Sequence, residues 1–186
     1  MGTGGGHSMT YVKSSRTIFI NNQFGIRQLK ETLSNLLIAS SISPSEIWLV
    51  SPWLSDFELL DNRSGDWDAL NPSWGARGVR FSELLIFAIE SGCRLNLVTN
   101  NDQINKAFEE RLNQTVDDNE LLRVVKSPKL HTKGLLTQEY FLAGSMNFTY
   151  SGTHKNEEQV VLNIDKDTIL EAKLEFEDLY GVSQNE

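Results

Sequence analysis

Short apolar runs of strand length alternate along this chain with stretches whose apolar residues recur every three or four positions, and that alternation restricts the fold more than any other feature. Ile26, Leu29, Leu33, Leu36 and Leu37 mark one helical stretch from about Gly25 to Ser40, broken by Ser43-Pro44. Glu46 to Val50 (EIWLV) predicts a strand that stops at Pro52, which has no N–H to give to a ladder. A second helix is predicted from Phe81 to Glu90, ended by Gly92, then a strand from Arg94 to Thr99 and a third helix from Asp102 to Leu112 capped by Asn101 or Asp102. Leu121 to Val125, Leu130 to Leu136, Tyr140 to Ala143 and Gln159 to Ile164 predict further strands, and Thr168 to Tyr180 a closing helix. Strands interleaved with helices of ten or so residues predict one α/β domain, a mixed, largely parallel sheet flanked by helices on both faces. The turn-rich stretch from Asp61 to Gly78, which carries Trp67 and Trp74, is expected to be a surface loop.

The 186 residues suffice for a core without metal or disulfide staples. Residues 1–8 (MGTGGGHS) read as a cloning remnant, leaving residues 9–186 as the domain with Met9 as its start. The lone Cys93 reads as a small buried hydrophobe, as expected in a reducing, cytoplasmic setting. No window approaches the roughly 18 to 20 uninterrupted apolar residues of a membrane span, and neither a leader nor membrane contact is expected. A net charge of −8 argues against general adhesion to anionic surfaces, yet Arg123, Lys126, Lys129 and Lys133 form a basic segment with no acid among them.

That segment opens the densest polar pattern in the chain: His131-Thr132-Lys133, then Gly144-Ser145-Met146-Asn147, then Asn156-Glu157-Glu158. On a strand, His131 and Lys133 would share a face. An imidazole there can attack phosphorus or move protons near neutral pH, and an ammonium beside it can neutralise phosphate oxygens. Gly144, Ser145 and Asn147 supply a glycine turn, a hydroxyl and an amide suited to phosphate oxygens, and Glu158 a carboxylate able to orient an imidazole. The same residues also fit a plain turn, with Ser145 or Asn147 capping a short helix and Asn156 to Glu158 in a solvated loop. His154 reads as an exposed loop residue, and no His, Cys or carboxylate cluster has metal-ligand spacing.

From His131 to Glu158 (HTKGLLTQEYFLAGSMNFTYSGTHKNEE) the chain resembles the phospholipase D superfamily, whose signature runs His-x-Lys, an acid five residues after the Lys, Gly-Ser-x-Asn, and Asn-x-Glu. Upstream, Trp48-Leu49-Val50-Ser51-Pro52-Trp53 with the elements after it is similar to the first half of such domains, so the resemblance covers nearly the whole chain. The family's acidic position falls on Gln138, with Glu139 beside it, and the hairpin to Gly144 is one residue shorter than usual. Either Glu139 takes that role or it is unfilled.

The resemblance implies a metal-independent phosphodiesterase, with His131, Lys133, Asn147 and Glu158 catalytic and Lys129, Gly144 and Ser145 binding substrate. It implies no metal or cofactor, and a phosphohistidine formed in one motif while the His of a second motif protonates the leaving oxygen. One motif per chain is half a site, so a homodimer is implied. The short single-motif type is similar to nucleases, DNA ahead of RNA, and to components of bacterial DNA-modification and phage-defence clusters, the 7-deazaguanine system in particular. The basic segment and the loop tryptophans would then either grip a strand by charge and stacking, or be a solvated edge and loop-to-core anchors. The alternative is a non-catalytic subunit or nucleic-acid-binding module of a larger defence complex.

Overall fold

The computed structural model describes residues 14–116 and 120–181, so the cloning remnant expected at 1–8 and the start expected at Met9 lie outside the described residues. An edge strand not anticipated from the sequence, β1 (Ser15–Ile20), leads into α1 (Gln23–Ile42), whose first turn is capped by Asn22 accepting the Gly25 N–H at 3.0 Å. β2 (Glu46–Val50) follows, then the hairpin β3 (Glu58–Asp61) and β4 (Gly78–Arg80). α2 (Phe81–Glu90) runs directly from it, with the Glu83 carboxylate accepting the Arg80 N–H at 2.9 Å. Gly92, at φ +104, makes the left-handed turn into β5 (Arg94–Thr99), a conformation that disfavours any side chain. A 3₁₀ turn at Gln103–Asn105, capped by Asp102, precedes α3 (Lys106–Thr115). β6 (Leu122–Lys126), β7 (Gly134–Leu136), β8 (Phe141–Gly144), the short α4 (Tyr150–His154), β9 (Glu158–Asn163) and α5 (Lys166–Tyr180) complete the order.

Seven strands form one mixed sheet in the order β1-β9-β8-β7-β2-β5-β6. β1, β2, β5, β6 and β8 run one way, β7 and β9 the other. β2 is buried on both faces: Ile47 and Leu49 enter the larger core with α1, α2 and α3, while Trp48 and Val50 pack on α5 through Phe176 and Tyr180. This is why EIWLV reads as a continuous apolar run rather than an alternating one. Across the larger core, Phe81 is the hub of a ring cluster, its centroid 5.2, 5.7 and 5.8 Å from those of Phe57, Phe108 and Phe148. They join the segment after β2, both helices and the turn after β8.

The loop between β3 and β4 differs from an open strand-gripping surface. Trp74 is 3% exposed and packs edge-on to Phe87, and Trp67 is half-buried against the larger core. Asn62, fully buried, holds the loop shut by donating to Asp68 and Gly75 at 2.8 Å each and accepting the Trp67 N–H at 2.8 Å. Both tryptophans are therefore anchors, because burying a ring there contributes more than leaving it in water for a ligand.

Candidate active site

The carboxyl ends of the parallel strands β2, β5 and β6 meet the starting ends of β7 and β9 on one side of the sheet. Ligand sites of open α/β sheets lie at such an edge. Val50 pairs with Gly134, so a longer β7 would need Ser51 and Pro52 as partners. Ser51 donates instead to Val98 at 3.0 Å, and Pro52 has no N–H. The strand expected from Leu130 therefore begins only at Gly134, and His131 and Lys133 stand on an unladdered segment that leaves a turn closed by Leu130 N–H to Ser127 O, 3.2 Å.

The two side chains still meet. Lys133 Nζ donates to the His131 carbonyl oxygen at 2.7 Å and lies 3.4 Å from His131 Nδ1. An ammonium only donates, so Nδ1 faces it as acceptor, and a neutral ring so placed carries its proton on Nε2. His131 is exposed and Lys133 half-buried, positions open to an incoming ligand.

The second half of the set is built at the β8–β9 junction. Ser145 is locked by three bonds: its N–H donates to Gln159 O at 3.0 Å, its Oγ accepts the Gln159 N–H at 3.1 Å, and its hydroxyl donates to the Glu158 carboxylate. The Asn156 amide reaches the other Glu158 oxygen at 3.4 Å. The carboxylate expected to orient the imidazole is thus held by Ser145 and Asn156. A Cβ on Gly144 would run into the Gln159 carbonyl and come within 2.8 Å of Val160 Cα, so β8 and β9 approach there only as glycine allows. Asn147 Oδ1 is buried with no hydrogen-bond donor among the described residues, an acceptor that a water or ligand hydroxyl would complete.

Other expected residues are placed differently. Gln138 and Glu139 are exposed in the β7–β8 turn, at the far end of β7 from His131, and the turn is held by Thr137 Oγ1 accepting the Glu139 and Tyr140 N–H groups at 3.2 and 3.3 Å. Arg123 does not join the site: its guanidinium donates to Asn96 and to the Tyr180 carbonyl at 2.8 Å each and lies 5.3 Å over Trp48, tying down the end of α5. Lys126 pairs with Glu109. Lys129 is exposed in the turn before His131 and remains with Lys133 at the site edge. His154, expected in a loop, sits on α4, half-buried, stacked on Tyr150 at 4.5 Å.

Two residues escaped the sequence reading. Asn105, fully buried, accepts the Leu54 N–H at 2.7 Å and donates to Pro52 O at 2.9 Å and Asn100 Oδ1 at 2.8 Å, fixing the segment after β2 beside Gly134. Trp53 on that segment is exposed, its indole donating to Asp102 at 3.1 Å. Only the proximity of Asn100, Asn101 and Asp102 to a strand end hinted at such a clasp.

Among the described residues, no group of three or more His, Cys, Asp or Glu is arranged to hold a metal, and no helix is long and apolar enough to cross a membrane. NucT from Helicobacter pylori superposes with a TM-score of 0.54 at 14% identity, over 88% of this chain and 93% of that one. Nuc from Salmonella typhimurium, a phospholipase D family member, gives 0.53 at 16% identity over 87% and 90%. TrmBL2, an archaeal chromatin protein described with a novel mode of DNA binding, gives 0.57 at 12% identity, with 92% of this chain covering 54% of that one. No curated protein matches the sequence. Residues 70–180, from the loop before β4 to the end of α5, match the family described as cardiolipin synthase, PLD-like domain. With the sheet, the His131–Lys133 pair and the Ser145–Glu158 junction in place, that match makes the chain a member of the phospholipase D-like family.

Proposed function

We propose that this chain is a metal-independent phosphodiesterase, and specifically a nuclease, that works through a phosphohistidine on His131 at a site shared by two copies of the chain. The observation that carries this reading is the convergence at one sheet edge of the His131–Lys133 pair with Ser145, Asn147 and Glu158, in a chain of the phospholipase D-like family. His131 attacks phosphorus, and a P–N bond replaces the P–O bond to the leaving group. His131 of the partner subunit gives its proton to the leaving oxygen, then accepts one from the water that cleaves the P–N bond. Lys133 turns from the His131 carbonyl to the phosphate oxygens, which frees Nδ1 and lets the ring change tautomer for attack. Lys129 and the Asn147 amide N–H hold the phosphate, Ser145 reaches it only by releasing Glu158, and Gly144 lets the two strands close behind it.

Pairing of two copies is supported by exposed apolar side chains around the same edge: Phe19 near the end of β1, Phe24 at the start of α1, Trp53 after β2, Ile104 after β5 and Tyr150 after β8. Burying them across a two-fold axis would bring the two histidines together. DNA ahead of RNA as substrate, a cytoplasmic setting and a role beside DNA-modification or phage-defence proteins rest on the sequence resemblance. The second reading, a non-catalytic subunit, is favoured by two observations: among the described residues no carboxylate bonds to His131 or Lys133, and Glu158 is held by Ser145.

Turnover of bis(p-nitrophenyl) phosphate and of labelled single- and double-stranded DNA and RNA in EDTA separates the readings. The enzyme reading expects activity that His131→Ala abolishes. Absence of turnover on every substrate, with the dimer intact, replaces it by the non-catalytic module.

A further inference from the structure

A cavity of 580 Å³ opens between α1 and the β3–β4 hairpin, and neither His131 nor Lys133 lines it. Its size falls within the roughly 300–1,000 Å³ typical of small-molecule sites. Ile26, Leu59, Leu60 and Trp67 give it an apolar wall, and Lys30 and His154 stand at its polar side. The carboxylates around it already have partners. Glu58 takes Arg63 at 3.0 and 2.8 Å, Asp61 takes Arg63 at 3.0 Å, and Glu31 pairs with Arg27 at 3.7 Å. Lys30, half-buried, has neither an ion pair nor a hydrogen bond among the described residues. His154 engages Thr153 Oγ1 through Nδ1 at 2.6 Å, which leaves Nε2 available to a ligand.

From this arrangement we infer that the cavity binds a small aromatic anion, its phosphate or carboxylate group on Lys30 and His154 Nε2 and its flat body against Ile26, Leu59 and Trp67. A half-buried ammonium in neither an ion pair nor a hydrogen bond among the described residues, with the nearby Glu58 and Asp61 charges already engaged by Arg63, is complementary to that ligand class, since the anion replaces the hydration the ammonium has lost. The titration directions agree. Burial lowers the Lys30 pKa despite the opposing charges of Glu58 and Asp61, and burial followed by the charge of Lys30 lowers that of His154 despite Glu58, so a bound anion would favour the charged form of both groups.

Calorimetric titration tests this in the Lys133→Ala chain, so that phosphate binding at the sheet edge contributes little. Adenosine 5′-monophosphate and 2-naphthoate represent the phosphate and carboxylate sources, while adenosine and inorganic phosphate each lack half of the ligand. At least one aromatic anion is expected to bind, with adenosine and inorganic phosphate about tenfold or more weaker, and Lys30→Met is expected to weaken the anion about tenfold or more. Whichever anion binds identifies the head group. His154→Gln, which keeps a side chain of similar size, is expected to weaken it by a smaller factor. No binding of either anion at millimolar concentration, an affinity unmoved by Lys30→Met in a chain with an unchanged melting curve, or adenosine binding as tightly as its monophosphate overturns the inference.

Discussion

Asn105→Ala is the most informative single change away from the chemistry. The side chain is fully buried and its carboxamide uses both ends: Oδ1 accepts from Leu54, and Nδ2 donates to Pro52 O and Asn100 Oδ1. Removing it does not orphan every partner, because Pro52 O keeps the Thr99 hydroxyl at 3.1 Å and Asn100 Oδ1 keeps the Asp102 N–H at 2.9 Å. The Leu54 N–H, however, is left buried without an acceptor, and such a group costs about 1–3 kcal/mol. Adding the lost bonds and a small void, we expect a destabilisation of about 3 kcal/mol, which in a domain of this size lowers Tm by about 6–12 °C. Urea titration and calorimetry read both quantities. Asn113→Ala, an exposed position on α3, should stay within about 0.5 kcal/mol. The freed segment carries Ser51, whose hydroxyl accepts the Phe148 N–H at 3.3 Å, so activity should fall together with stability. A folded Asn105→Ala protein that loses less than about 1 kcal/mol would refute the reasoning.

Three other outcomes follow from the same geometry. Arg123→Met, which breaks the bonds to Asn96 and Tyr180 O and the stacking on Trp48, should cost about 1–3 kcal/mol in urea titration and leave catalysis per folded molecule unchanged, whereas Lys129→Ala should do the reverse. Gly144→Ala should force β8 from β9 and lower both stability and turnover, read by thermal melts and by the phosphodiester assay. His154 has a depressed pKa, so its folded form favours the neutral ring and stability is lost as pH falls below the unfolded value of 6.5. Asp102 is held low by the Ile104 N–H and the Trp53 indole, and its contribution is lost only as pH falls below 3.8. His154→Gln should therefore flatten the stability profile between about pH 7 and 5 without changing the acid limb below pH 4.

The sheet was legible wherever strands are buried on both faces or helices carry a clear period: β2, β5 and α2 end at the residues the patterns predict. β1 was not legible, since the exposed Phe19 between the buried Ile18 and Ile20, and the exposed Arg16 on their face, blur the alternation. The β3–β4 hairpin has too few residues for a period, and so has α4. The segment from Leu130 to Lys133 was misread as strand for a tertiary reason: its would-be partner stops at a proline, a fact that pattern alone does not place opposite it. At the site, residue types were legible and their partnerships were not. Glu158 bonding to Ser145, Arg123 turning to α5 and Asn105 clasping Pro52 all join residues remote in sequence.

The nucleophile proposed for this site is His131. Rapid quenching of a reaction with a labelled oligonucleotide in EDTA, followed by digestion and mass spectrometry, tests it directly. A transient phosphoryl adduct is expected on the peptide containing His131, present during turnover, gone at completion and never formed by His131→Ala. Cleavage that proceeds with no adduct on that peptide, or with one on His154 instead, would contradict it.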